Sequence, residues 1–293
     1  MELQAVRNAQ VSVVVTVLNE GEQVLRLLES IANQSLKPNE VIIVDGGSKD
    51  STPLLVKDFA ASTADNGIVL MNDGIERNIA EGRNAGIRSS SCGIVAVTDS
   101  GCVPCREWLE RVTAPLRTND TADVVAGVYD AVAGNDFQRR LAKIWIPDWD
   151  RVEGRTFLPS SRSVAFRKKC WEEVGGYPEA SLTGEDTLFD MRLKKHGCRF
   201  VYEPSASVIW DLPKSYRELW RKCVGYGRGN GELGLYTGRH FVRFLLVIIP
   251  FVWPIIRKGE FTLRYLINLG YSVGWLKGVW VRISRAVSAR AHA

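Results

Sequence analysis

Four short runs of β-branched and aliphatic residues, each followed by a stretch that reads as helix, narrow the N-terminal part of this chain to one kind of architecture. The runs are 11–17, Val41–Val44, Ile68–Met71 and Ile94–Thr98. After the first, Val24, Leu27, Leu28 and Ile31 recur at helical spacing within 22–33. Residues 52–61 read as a helix with Ser51 or Asp50 as its cap and Pro53 early in it. Residues 79–89 and 108–117 follow the third and fourth runs as further helices. Short apolar strands alternating with helices predict a mostly parallel α/β sheet covered on both faces. In such sheets ligands bind outside the carboxyl ends of the strands. That rule brings Thr16–Glu20, Asp45–Ser48 and Asp99–Cys102 to one rim.

Beyond Asp120 the alternation stops. Strands are expected at 124–129, 163–166, 200–202 and 206–210, and helices at 137–147, 168–174, 186–196 and 215–224. The last helix runs into the glycine-rich stretch Gly225–Gly231, which reads as a loop. The residues that remain differ in charge. From Arg239 to Ala293 there are nine Lys and Arg against one acidic residue, whereas the first 238 residues hold 29 basic and 32 acidic side chains. The longest apolar run, Phe244 to Ile256, is broken by Pro250 and Pro254. It is shorter than the ~20 residues a bilayer span needs. Aromatic and aliphatic residues from Phe261 to Ile283 alternate with Arg264, Lys277, Arg282 and Arg285. Apolar bodies with snorkelling cations suit a membrane interface. The alternative is a pair of core helices with a solvated basic face. The cations are interleaved with aliphatic residues, which disfavours nucleic acid as a partner. The expected division is an α/β domain at 1–238 and an amphipathic, membrane-associated segment at 239–293.

Composition excludes other classes. With 45% apolar and 24% charged residues in 293, the chain has material for a core and is not disordered. Six cysteines are too dilute for a disulfide scaffold, and the opening decapeptide lacks a signal-peptide h-region. A reducing, cytoplasmic setting is expected. Cys102-Val-Pro-Cys105 lacks the second pair a zinc site needs.

Five motifs occur in order: Val14-Val-Thr-Val-Leu-Asn-Glu20, Pro38–Thr52 with its Val-Asp-Gly-Gly-Ser core, Gly82-Arg-Asn-Ala-Gly-Ile87, Thr98-Asp-Ser-Gly-Cys-Val-Pro104, and Gly175-Gly-Tyr-Pro178 before Gly184-Glu-Asp186. Together they resemble the inverting family 2 glycosyltransferases, nucleotide-sugar enzymes of the GT-A fold, over roughly residues 11 to 230. The resemblance implies a nucleotide-binding half at about 1–117 and an acceptor half at about 118–238. It assigns Thr16 and Asp45 to the nucleotide pocket, with Asn19, Glu20 and Gly47 beside them. A carboxylate such as Asp45 can accept the N3–H of uracil or a guanine N–H, or it can simply cap the following turn. Arg77 and Arg83 are expected near ribose or phosphate, unless they lie on a solvated helix face. Arg228 is expected in a loop that closes over the diphosphate.

The resemblance makes Asp186 the general base for in-line displacement and Glu185 its neighbour that orients the acceptor. An acidic first turn complementing a helix dipole is the other reading of the pair. Trp149, Ser160, Ser161 and Arg162 are expected on the acceptor side, or as packing. Asp99 takes the first position of an Asp-x-Asp motif that holds Mg²⁺ or Mn²⁺, but the third position is Gly101, and Trp210 replaces a customary His. Asp99 then holds the cation mainly through water and phosphate, with Asp211 contributing, or cationic side chains take over the charge. The function expected is transfer of a hexose from a nucleoside-diphosphate sugar to a lipid-linked or glycan acceptor with inversion, peripheral at the inner face of the cell membrane. Loss of the metal positions leaves open a transferase-like module that only binds nucleotide or glycan. A nucleotidyltransferase would want a basic, glycine-rich loop where Leu18-Asn-Glu-Gly-Glu22 is acidic.

Overall fold

The computed structural model of the chain describes residues 10–63, 67–118, 122–152, 157–180, 183–248 and 261–291. The first half runs β1 (Val11–Val17), α1 (Gln23–Ala32), β2 (Glu40–Asp45), α2 (Thr52–Ser62), β3 (Ile68–Met71), α3 (Ile79–Ser89), β4 (Ile94–Asp99), β5 (Cys102–Pro104) and α4 (Trp108–Thr118). Then come β6 (Val124–Asp130), α5 (Asp136–Trp145), β7 (Val164–Arg167), α6 (Lys168–Glu173), α7 (Glu185–His196) and β8 (Phe200–Trp210). The chain continues through α8 (Tyr216–Leu233), α9 (Thr237–Ile248) and α10 (Phe261–Ala291). Two compact units result: Met1–Val132 with Pro147–Glu179 and Phe189–Asp211, and Ala133–Ile146 with Ala180–Leu188 and Leu212–Ala293.

The first unit carries an eight-stranded sheet in the order β3-β2-β1-β4-β7-β6-β8-β5. The pairings of β1 with β2 and β4, of β2 with β3, and of β6 with β8 are parallel. Those of β7 with β4 and β6, and of β5 with β8, are antiparallel. Val13, Val14 and Val15 are fully buried, as expected for a strand covered on both faces. Each such side chain contributes about 1.5–3 kcal/mol. Phe166, Trp171, Tyr177 and Phe189 extend the same core. Helix α3 lies close on the sheet because Gly82 and Gly86 face it. A Cβ at these positions would come within 2.7 Å of the Thr16 methyl and 2.6 Å of Val14. Asn78 caps α3 with a complete capping box that includes Glu81.

Two expectations change. The strands foreseen at 200–202 and 206–210 are one strand, β8, continuous through Pro204. Its pairing with β6 shifts register between Ala126 and Val128, and the irregularity absorbs the missing N–H. The stretch Gly225–Gly231 is not a loop but the second half of α8. Its glycines form a packing surface within the second unit. A Cβ at Gly227 would collide with the Tyr271 carbonyl oxygen of α10, and one at Gly231 with that of Trp275. From the other side, Gly274 and Gly278 of α10 meet the carbonyl oxygens of Val224 and Arg228. Ser215 caps the start of α8, and Gly234, in the left-handed region, ends it.

The six cysteines are free thiols. Among the described residues, no helix is long and apolar enough to cross a membrane. The apolar run 244–256 lies largely outside the described residues.

Candidate active site

The strand order reverses between β1 and β4, and their carboxyl ends flank the crevice where open α/β sheets take ligands. Register sets the side chains there. Val17 of β1 pairs with Asp45 of β2, and Thr16 of β1 pairs with Asp99 of β4. With strands ~4.8 Å apart, Asp45 and Asp99 lie about 10 Å from each other across β1. The sequence rule for the rim is met in the first unit.

Three loops lock together at this rim. The Asn19 backbone N–H donates to Ser48 Oγ at 2.8 Å, and Asn19 Oδ1 accepts from Lys49 N–H at 2.8 Å. Asn19 is left-handed, with φ 53°, which Asn tolerates better than most residues. Ser100 Oγ donates to Glu20 Oε1 at 2.6 Å, tying the loop after β4 to the loop after β1. Thr52 Oγ1 accepts from the backbone of both Glu20 and Gly21. The Asp45 carboxylate is 2% exposed and accepts from Ser48 N–H through both oxygens. The turn-capping role is therefore real. Gly47 has φ 97°, and a Cβ there would come within 2.9 Å of Glu76 Cγ. Only glycine fits without strain.

Arg83 is not on a solvated face. It is 2% exposed, and its guanidinium donates to Asp99 Oδ1 at 2.6 Å while lying 5.3 Å from the Tyr177 ring centroid. The close seating of α3 on β1 puts it there. Arg77 stands before α3 and holds Asp73 through two bonds of 2.6 and 2.5 Å. The Arg77 guanidinium pulls the Asp73 carboxyl down to about 2. No motif had pointed to Asp73, although a carboxylate four residues before Arg77 is visible in the sequence.

Two residues before β7, Arg162 lies over two aromatic rings. Its guanidinium is 4.1 Å from the Trp210 centroid and 4.9 Å from that of Tyr129, and it donates to Ser160 Oγ at 2.9 Å. Trp149 opens a 3-10 turn, packs edge-on against Tyr129 and Phe157, and donates its indole N–H to the Tyr129 carbonyl. Ser161 is buried and bonded to the Tyr177 hydroxyl at 3.0 Å, so it braces the loop. Tyr129 was missed because an aromatic residue within a strand reads as core.

In the second unit, Glu185 and Asp186 open α7 behind Gly184, whose φ is 83°. Glu185 is buried and Asp186 half-buried, with Asp186 Oδ1 accepting from Thr187 N–H at 2.7 Å. Arg228 is not in a closing loop. It sits midway along α8 and donates to Glu232 at 2.7 Å, because the helix persists where a glycine-rich loop was expected.

A divalent cation wants several oxygen ligands. The donors around Asp99 do not fit one. One Asp99 oxygen is held by Arg83, Gly101 has no side chain, Trp210 offers no ligand atom, and Asp211 pairs with Arg26 at 3.1 Å. Among the described residues, no group of three or more His, Cys, Asp and Glu could hold a metal ion.

Comparison with known proteins gives the family. The model for Glycosyl transferase family 2 matches residues 12–178. A glycosyltransferase of Haloferax volcanii, AglE, is 26% identical over 83% of this chain and 81% of its own length. The pre-mycofactocin glycosyltransferase of Mycobacterium tuberculosis is 29% identical over 77% of this chain, which spans about half (47%) of that relative. Among solved structures, the mannosyltransferase PcManGT of Pyrobaculum calidifontis, in complex with GDP-Man and Mn²⁺, has a TM-score of 0.70 at 17% identity, covering 93% of this chain and 88% of the other. The last is a likeness of fold. The family match spans more than half of the residues and includes the rim built by β1, β2 and β4, and the chain belongs to glycosyltransferase family 2, enzymes that draw on sugar-nucleotide donors.

Proposed function

We propose that the enzyme moves a hexose from a nucleoside-diphosphate sugar to a lipid-linked or glycan acceptor, with inversion at the anomeric carbon. The observation that carries this reading is the register that sets Asp45 opposite Val17 and Asp99 opposite Thr16, at the carboxyl ends of strands on either side of β1. The base and ribose would meet Thr16, Asn19, Glu20, Asp45 and Gly47. Arg77, Arg83 and Asp99 would serve ribose and phosphate, Arg83 by holding Asp99 in place. Trp149, Ser160 and Ser161 make the acceptor side, with the indole offering an apolar face to a sugar ring or an isoprene unit. The division of labour is donor binding in about 1–117, acceptor binding in about 118–238 and membrane contact in 239–293. A fold shared with a mannosyltransferase solved with GDP-Man favours a hexose donor.

Asp186 takes the proton from the acceptor hydroxyl as that oxygen attacks the anomeric carbon and the nucleoside diphosphate departs from the opposite side. General-base help of this kind is worth about 10²–10⁴-fold. The test is Asp186→Asn. Transfer should fall at least ~10²-fold while UDP or GDP binding changes less than about twofold. Near-normal turnover would remove the assignment. A screen of UDP- and GDP-sugars identifies the donor.

The helical unit supports a peripheral membrane role at the inner face of the cell membrane. Leu276, Trp280, Ile283 and Val287 recur at spacings of four, three and four along α10 and are all exposed, Trp280 by 70%. Lys277, Arg282 and Arg285 accompany them. Phe241, Val242, Phe244 and Leu245 of α9 are also exposed. Tyr271 and Trp275, grouped with this face in the sequence, instead pack with His240 in the interior of the unit. Vesicles containing anionic lipid should sediment the protein, and Trp280→Glu with Ile283→Glu should release it. Equal sedimentation of the double variant would sink the reading.

A further inference from the structure

We infer that Arg162, held over Trp210 and Tyr129, supplies the positive charge at the donor diphosphate that a divalent cation would otherwise supply. The inference rests on the reading of the rim as a nucleoside-diphosphate sugar site. It begins with register. Strands β4 and β7 are antiparallel, with Ala96 paired to Ala165 and Val97 to Val164. Continued by two residues, that register sets Arg162 opposite Asp99. The Thr98 hydroxyl donates to the Arg162 carbonyl at 2.8 Å, so the two chains stay together up to that point.

The rings that hold the guanidinium belong to the same corner. Trp210 pairs with Cys102 across β8 and β5, and the next residue, Asp211, donates its N–H to the Gly101 carbonyl at 2.9 Å. The guanidinium over Trp210 is therefore beside the Asp99-Ser-Gly101 turn. Arg is suited to this arrangement. Its planar group stacks on an aromatic face and offers a fork of N–H donors in its own plane to phosphate oxygens. Unlike a metal ion, it needs no carboxylates to hold it.

The turn is built to match. A Cβ at Gly101 would meet nothing within 4 Å, and the residue is not left-handed. The backbone does not require glycine there, so a carboxylate would fit but is not present. Space remains where a phosphate group could enter. The one carboxylate of the turn, Asp99, is neutralised by Arg83. Arg162 adds a second arginine beside that ion pair, and among the described residues no carboxylate cluster here could hold a metal ion.

The test uses the whole protein, with UDP and GDP as probes, titrated calorimetrically in excess chelator and again in Mn²⁺. One of the two nucleotides should bind in chelator with an affinity within about twofold of that in Mn²⁺. Arg162→Ala should weaken that nucleotide about tenfold or more while changing binding of the parent nucleoside by less than about twofold. Binding that appears only with Mn²⁺, or an Arg162→Ala protein with unchanged affinity, overturns the inference and leaves the donor-site reading standing. Failure of both nucleotides in both buffers overturns the two together. The chelator comparison is made on the unmodified chain, so it decides the matter even where the variant does not fold.

Discussion

Glycines do opposite work in the two units. At the sheet rim, Gly47 supplies a left-handed turn beside Asp45, leaving backbone close to where a ligand enters. In the helical unit, Gly227, Gly231, Gly274 and Gly278 lie inside regular helices and remove side chains so that the backbones of α8 and α10 can touch. The first use exploits conformational freedom, the second absence of bulk. A Gly-x-Gly-x-Gly stretch becomes loop or helix according to the partner that packs against it. Its spacing of four between Gly227 and Gly231 matches one face of a helix, and the matching spacing of Gly270, Gly274 and Gly278 completes the pair.

Substitution can break this contrast. The largest effect is expected from Gly278→Leu, whose side chain would be driven into the backbone of α8. A loss of about 3 kcal/mol or more in a denaturant melt is expected, and wild-type stability would show that the helices do not pack this way. Next comes Arg83→Met, which leaves the Asp99 carboxylate beside the sheet without its buried cation. About 2 kcal/mol should be lost in a denaturant melt at neutral pH.

Acid should distinguish the helical unit too. His240 is buried in it, stacked on Trp275, and burial, with Arg243 and Arg239 adding to it, pushes its imidazole down to about 4. The unfolded chain titrates near 6.5, so between these values the unfolded state binds more protons. Stability is complete above pH ~6.5 and falls toward pH ~4, by at most about 1.4 kcal/mol per pH unit. His240→Gln should flatten that slope, which chemical denaturation at stepped pH would read. Smaller again is Gly47→Ala at about 1 kcal/mol, from its left-handed backbone. Smallest is Gly101→Ala, within about 0.5 kcal/mol, since nothing opposes the new methyl group. A large loss there would mean the turn after β4 is tighter than it looks.

Much of the first unit was legible because strands buried on both faces leave a strong trace. Ile68–Met71 and Ile79–Ser89 have the same limits in sequence and structure. The rim was legible for the same reason, since strand ends and the carboxyl-end rule locate Thr16, Asp45 and Asp99 without contacts. What Arg83 does was not legible. Arginine in a helix reads as solvated, and only the seating of α3 on Gly82 and Gly86 turns it inward to Asp99. Arg228 went the other way, from expected loop cation to partner of Glu232 within a helix.

The order of residues alone settled the alternation of strand and helix, the family motifs and the basic, apolar character of the end of the chain. These are written in local periodicity and composition, which need no folded partner. The pairing of Arg83 with Asp99, the holding of Arg162 by Trp210 and Tyr129, and the burial of the glycine face of α8 were settled only in three dimensions. Each depends on groups 16 to 50 residues apart in sequence, and a side chain's charge or bulk acquires its role from what the fold brings against it.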